Sequence, residues 1–287
     1  MVQSRVKTLA KMEKKDKLEQ AKNLEFSFRS KLFKAKQVCT VEGLSFAWGA
    51  QRPLFEDLNF SILAGERICV VGKNGKGKTT LLKVLAGSLP PASGQDTYNP
   101  QVESGVFEQT NVQSLVDSRT VEEELLYAQP DVDRQNARNI CGAMMFEGDS
   151  ALKKISVLSG GEKSRVMLGK LLVTPVNLLI LDEPTNHLDM DACDALLAAI
   201  DNFDGAVIMV THNEMFLHAL ADRLIVFDDV GAHMFDGSYQ DFLEKGGWGD
   251  TPAMNRRQDN SEVDRSPDLP RLTKKELRRL RSEIITE

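Results

Sequence analysis

Between Val38 and about Trp248 short apolar runs alternate with amphipathic stretches, the pattern of a chain that alternates strands and helices. Arg67-Ile68-Cys69-Val70-Val71 reads as a short buried strand. Thr80-Leu81-Leu82-Lys83-Val84-Leu85-Ala86 reads as a helix stopped by Gly87. Further strands are expected at Ser104–Phe107, Leu178–Leu181 and Ala206–Val210, and a helix from Lys163 to Leu172. Upstream, Val2, Val6, Leu9 and Met12, then Leu18, Ala21 and Leu24, make an interrupted, narrow stripe, as in one arm of a helical hairpin or a loose coiled coil. Downstream, Asp250 to Pro270 is polar and proline-containing and reads as linker. Leu272 to Arg281 then looks like a helix start, with Thr273 a plausible N-cap and Glu276 at N3. The chain thus divides into a basic helical arm (1–37), an α/β body (38–248), a flexible linker (249–270) and the start of a C-terminal helix (271–287).

Of the 287 residues, 41% are hydrophobic, ample for a packed core. No apolar run approaches the roughly 18 residues that span a bilayer, and the N-terminus carries charges in place of a signal peptide's apolar region. Cys39, Cys69, Cys141 and Cys193 are far apart and match no metal spacing, as expected of reduced, mostly buried thiols. A cytoplasmic protein without stable membrane insertion is the expectation. The net charge of −6 conceals an asymmetry: residues 1–37 carry +7, residues 249–287 carry +1, and the body carries −14. A basic arm on an acidic body suggests that the arm meets a polyanion.

Three motifs carry chemistry. Gly72-Lys73-Asn74-Gly75-Lys76-Gly77-Lys78-Thr79 fits G-x-x-x-x-G-K-[ST] between a strand and a helix. Glycines let successive amides turn inward around an anion, and the helix N-terminus adds unpaired donors. Lys78 can then reach the β- and γ-phosphates, and the Thr79 hydroxyl can ligate Mg²⁺. Leu178 to Leu181 is an apolar strand ending in Asp182-Glu183, the place where an acid holds Mg²⁺ in such folds and where a second can take a proton from water. Taken alone, that strand end is as readily structural. Leu158-Ser159-Gly160-Gly161-Glu162-Lys163 is either a backbone anion site or a well-capped helix.

The order Gly72–Thr79, Gln109, Ser159–Glu162, Asp182–Glu183, Leu188–Asp189, His212 resembles the ATP-binding-cassette ATPases over residues 38–248. Ser159-Gly160-Gly161-Glu162-Lys163-Ser164-Arg165 and Asp182-Glu183-Pro184-Thr185-Asn186-His187-Leu188-Asp189 look like the ABC-F class, soluble proteins with two cassettes in one polypeptide that act at the ribosome. The resemblance implies an α/β P-loop NTPase with a β-rich N-terminal lobe, a RecA-like parallel-sheet core and a small α-helical subdomain. The basic arm would be the end of the linker before the second cassette.

Carried over by position, Gly72, Asn74, Gly75, Lys76, Gly77, Lys78, Thr79 and Thr80 would hold ATP, with Trp48 stacked on adenine. Thr79, Asp182 and Gln109 would hold Mg²⁺. Glu183 would be the general base, with Gln109 and His212 beside it. Ser159, Gly160, Gly161 and Glu162 would act on the nucleotide of a partner cassette, and Asp189 would belong to the loop crossing between cassettes. Trp48 could otherwise be a core tryptophan. Two departures from the pattern, Lys76 for a small residue and Asn213 where Asp is commoner, remove no catalytic group.

The resemblance implies that two cassettes close head to tail on ATP and that hydrolysis reopens them, moving the linker against ribosomal and transfer RNA. Two other functions stand beside it. An ATP-binding subunit of an ABC membrane transporter would need a docking surface for its partner. A non-hydrolysing scaffold would be expected to lack Glu183 or Lys78, and both are present.

Overall fold

The structure, a computed structural model, describes residues 26–49, 52–108 and 114–247. The amphipathic stripe, the linker, the C-terminal helix start and Gln109 lie outside the described residues. Among them run strands β1 (Gln37–Phe46), β2 (Phe55–Leu63), β3 (Arg67–Gly72), β4 (Ser93–Tyr98), β5 (Ser104–Phe107), β6 (Leu178–Asp182), β7 (Ala206–Val210), β8 (Arg223–Phe227) and β9 (Ala232–Phe235). The helices are α1 (Lys78–Leu85), α2 (Val121–Leu126), α3 (Arg134–Ala143), α4 (Gly160–Val173), α5 (Met190–Asp201), α6 (Glu214–Leu220) and α7 (Tyr239–Glu244).

The central sheet has the order β5-β6-β7-β3-β8-β9, parallel except for β9. Its central strands β3, β6 and β7 are short, largely apolar and buried along their whole length because both faces are covered, as parallel sheets require. Alternate side chains divide between two cores. Cys69, Val71, Leu179, Leu181, Val207 and Met209 face helices α4, α5 and α6. Ile68, Val70, Leu178, Ile180, Ile208 and Val210 face α1 and a second, antiparallel sheet of order β2-β1-β4. Helices α2, α3 and α4 pack on one another as a helical subdomain whose core is continuous with that face of the sheet. Gly169 of α4 lets them close: a Cβ there would stand 3.1 Å from Leu125 and 3.2 Å from Ile140. The β-rich lobe, parallel core and helical subdomain implied by the resemblance are all present.

Residues 26–36, placed by the sequence in the basic arm, are extended rather than helical and lie against the body. The amide of Lys31 donates to the Val176 carbonyl (2.7 Å), and the amide of Val176 donates to the Arg29 carbonyl (3.0 Å). Phe28 is buried edge-on to Phe203 at 5.9 Å. The Arg29 guanidinium donates to Asp131 (3.0 and 2.5 Å) and to the Val173 carbonyl (3.1 Å), tying the segment to the helical subdomain as well as the core. The local sequence could not show this, because one buried aromatic among basic residues has no period. Phe28→Ala is expected to lower stability by about 3 kcal/mol in urea unfolding, the cost of an emptied aromatic site. A loss below about 1 kcal/mol would mean that the segment rests on the body without belonging to its core.

Candidate functional site

β3 ends at Gly72 with φ +148°, and a Cβ there would overlap the Phe227 carbonyl and stand 2.6 Å from the Phe227 side chain. Only glycine lets β3 leave the sheet beside β8 at this point. The turn continues through Gly75 (φ +77°) and Gly77 (φ +109°), the latter packed on Leu54. Helix α1 begins at Lys78, two residues before the sequence-predicted start, because the first turn is wound directly onto the glycine turn. Gly87 (φ +71°) lies just past its end, as read.

Lys78 is buried, and its ammonium donates to the carbonyls of Gly72 (2.7 Å) and Lys73 (3.0 Å), so it folds back over its own loop. Burial lowers its pKa, opposed by the carboxylates of Glu183 and Asp182. The Thr79 hydroxyl donates to Asp182 at 3.2 Å. Asn74, Gly75 and Thr79 are exposed and Lys76 and Thr80 half-buried, so the loop presents its outer surface to solvent.

Asp182 closes β6, and burial pushes its pKa up, relieved in part by Thr79. Glu183 follows in the left-handed region at φ +50°, while its amide extends the ladder to the Val210 carbonyl (2.9 Å). Strain at a carboxylate held by its neighbours is the kind that clusters at functional sites. Burial, then the charge of Asp182, raise the Glu183 pKa, while the His212 amide donates to Glu183 Oε2 at 3.4 Å and acts against them. Glu183 Oε1 is buried with no hydrogen-bond partner; His212 Nε2 lies 3.5 Å away. Burial and Lys78 lower the His212 pKa, which favours the neutral ring. A cavity of about 410 Å³ opens beside this edge, bounded by Gly72, Lys73, Asn74, Thr211 and His212.

A hydroxyl against a buried carboxylate of raised pKa, with an orphan carboxylate oxygen next to it, is a hard-oxygen set suited to Mg²⁺. Among the described residues no cluster of three or more His, Cys, Asp or Glu could hold a metal alone.

Ser159 and Glu162 form a capping box. The Glu162 amide donates to Ser159 Oγ (3.3 Å), and Ser159 donates to Glu162 through its amide (2.8 Å) and hydroxyl (2.9 Å). Helix α4 therefore starts at Gly160, three residues before the sequence placed it, and Gly160 and Gly161 form its first turn. A Cβ on Gly161 would stand 3.1 Å from the ring of His187, itself left-handed at φ +69°. The Ser-Gly-Gly turn and the turn after Glu183 are thus packed together within one cassette. Asp189 caps α5 through the Ala192 amide (2.8 Å), and Asn213 caps α6 through the Met215 amide (3.0 Å). Trp48 is 51% exposed, edge-on to Phe46 at 5.0 Å, so it is not a core tryptophan. Gln109 lies outside the described residues. Sequence reasoning quoted Lys73 and His187 within motifs without giving either a role, and did not single out Asp229, for which the Asp228-Asp229-Val230-Gly231 turn signal was the available hint.

A phosphate loop, an acid-terminated strand and a Ser-Gly-Gly helix start on one parallel sheet define an ATP-binding cassette, and the ABC transporter family model matches residues 55–186. YbiT of Escherichia coli O157:H7 is 37% identical over 225 residues, covering 78% of this chain and 42% of its own. ABC transporter F family member 5 of Arabidopsis thaliana is 35% identical over 243 residues, covering 83% of this chain and 35% of its own. This cassette belongs to the ABC-F family. The fold is shared more widely: a bacterial Atm1-family ABC exporter with ATP bound superposes with a TM-score of 0.62 at 22% identity, over 76% of this chain and 42% of that one. The chain spans less than half the length of the relatives named here. ATP hydrolysis is the general activity of such cassettes, and among the described residues no helix is long and apolar enough to cross a membrane.

Proposed function

We propose that this cassette binds ATP with Mg²⁺, closes on it against a second cassette and hydrolyses it, and that the cycle acts on the ribosome from the cytoplasm. The observation that supports the reading best is that Lys78, Thr79, Asp182, Glu183 and His212 meet at one edge of the sheet. In this reading the amides of Gly75 to Thr80 and the Lys78 ammonium hold the phosphates, Lys76 adds charge, and Trp48 stacks on adenine. Thr79 and Asp182, with Gln109, hold Mg²⁺, which supplies charge neutralisation at the phosphates. Glu183 Oε1, buried and unpaired, accepts a proton from water, and the raised pKa of its carboxyl suits a general base. His212 contacts the γ-phosphate. Ser159, Gly160, Gly161 and Glu162 reach the partner's nucleotide, and Asp189 lies in the crossing loop.

The ribosomal part rests on the ABC-F relationship and on the charge division, with +7 on residues 1–37 against −14 on the body. Ribosomal or transfer RNA contact would run through the arm and weaken with salt as counterions are released. Replacing Lys11, Lys14, Lys15 and Lys17 with Gln is expected to reduce co-sedimentation with ribosomes at fixed ionic strength and leave ATP affinity unchanged. The measurement uses the protein with its partner cassette, with and without ATP, beside a phosphate-release assay. Ribosome binding with an unchanged salt slope would remove the arm from the argument; phosphate release without any ribosome binding would favour a transporter-type role.

A further inference from the structure

The turn between β8 and β9 brings to the phosphate loop a carboxylate with no part in the proposed reaction. β3 and β8 are parallel neighbours with Gly72 opposite Phe227, so the turns leaving the two strands emerge side by side. Asp228 shapes its turn by accepting from the amides of Val230 (2.8 Å) and Gly231 (3.0 Å). Asp229 is then left free to face the loop. Its Oδ1 lies 2.8 Å from Lys76 Nζ and its Oδ2 3.6 Å from Lys73 Nζ. Those two lysines hold the Asp229 carboxyl below the usual carboxylate range.

Ion pairs this exposed contribute little to folding stability and are weakened by salt. Their consequence lies in the charge of the loop. Lys73 and Lys76 alternate with the glycines whose amides line the anion site, and one carboxylate offsets part of their positive charge. We propose that Asp229 tunes the loop for nucleoside polyphosphates: it holds Lys76, and more loosely Lys73, and yields them when a polyphosphate enters. It thereby restrains binding and eases release. The inference rests on the reading of this loop as an ATP site. It also explains how a lysine is accommodated at position 76, where the resemblance led one to expect a small residue.

The test is direct titration of ATP and ADP, at low and moderate salt, into the wild type, Asp229→Asn, Lys76→Gln and the double variant, with thermal unfolding as a check that the fold is kept. Asp229→Asn is expected to tighten ATP roughly two- to fivefold at low salt, the range open to an exposed ion pair. The gain should be larger for ATP than for ADP, shrink at moderate salt, and fall by at least half in the Lys76→Gln background, the signature of coupling between the two side chains. ATP affinity in Asp229→Asn equal to or weaker than a wild type that binds normally overturns the inference alone. A wild type that binds neither nucleotide overturns the ATP-site reading and the inference with it.

Discussion

Glu183→Gln is expected to slow ATP turnover by roughly 10² or more while ATP binding survives. The amide keeps the shape of the side chain, and its one remaining carbonyl oxygen can still accept from the His212 amide, so the left-handed backbone at this position need not change. What is lost is basicity at a buried position. In the wild type burial raises the Glu183 pKa, which makes the carboxylate a better proton acceptor near neutrality than an exposed one, and Oε1 has no protein donor to compete with water. Single-turnover phosphate release and ATP titration on the same preparation separate the two effects. Turnover within a few-fold of wild type would mean that another group takes the proton; lost ATP binding would mean that Glu183 mainly shapes the site.

Lys78→Ala is expected to weaken ATP binding by about 10- to 100-fold, the span of one or two charged hydrogen bonds. The ammonium is buried, and the same hydrogen bonds to the Gly72 and Lys73 carbonyls that place it would hold it over the incoming phosphates. Removing it also takes the charged donor from those carbonyls, so part of the loss would come from a less ordered loop. Lys78→Arg is not expected to rescue binding, because a planar guanidinium does not fit a space built for a compact ammonium beneath the glycine turn. Unchanged ATP affinity in direct titration of the alanine variant would sink the assigned role. Glu183→Gln is expected to unfold close to wild type, whereas Lys78→Ala is expected to lose about 1–3 kcal/mol, the cost of leaving a buried carbonyl without its donor.

The local grammar of the fold was readable without coordinates. β3, β6 and β7 are continuous apolar runs because both faces of their sheet are buried, and a run of Ile, Val and Leu announces that directly. Gly72, Gly75 and Gly77 mark a turn whose positive φ angles favour glycine, and the residues after it wind into a helix. Spacing therefore located the phosphate loop, while the acids at the end of β6 and the histidine beyond β7 took their roles from the resemblance of the ordered motifs.

Tertiary structure alone decided which strand ends meet. The order β5-β6-β7-β3-β8-β9 brings the ends of β3, β6 and β7 to one edge, although β3 and β6 are separated along the chain by the whole helical subdomain. The packing of His187 against Gly161, the burial of Phe28 with residues 26–36 laid along the body, and the approach of Asp229 to Lys76 follow from that order. None leaves a periodic trace, because each is a contact between segments whose own patterns are satisfied locally. Periodicity reports which face of an element is buried. Which element buries it is settled by the packing of the two cores, and that is information the whole chain holds and no single window contains.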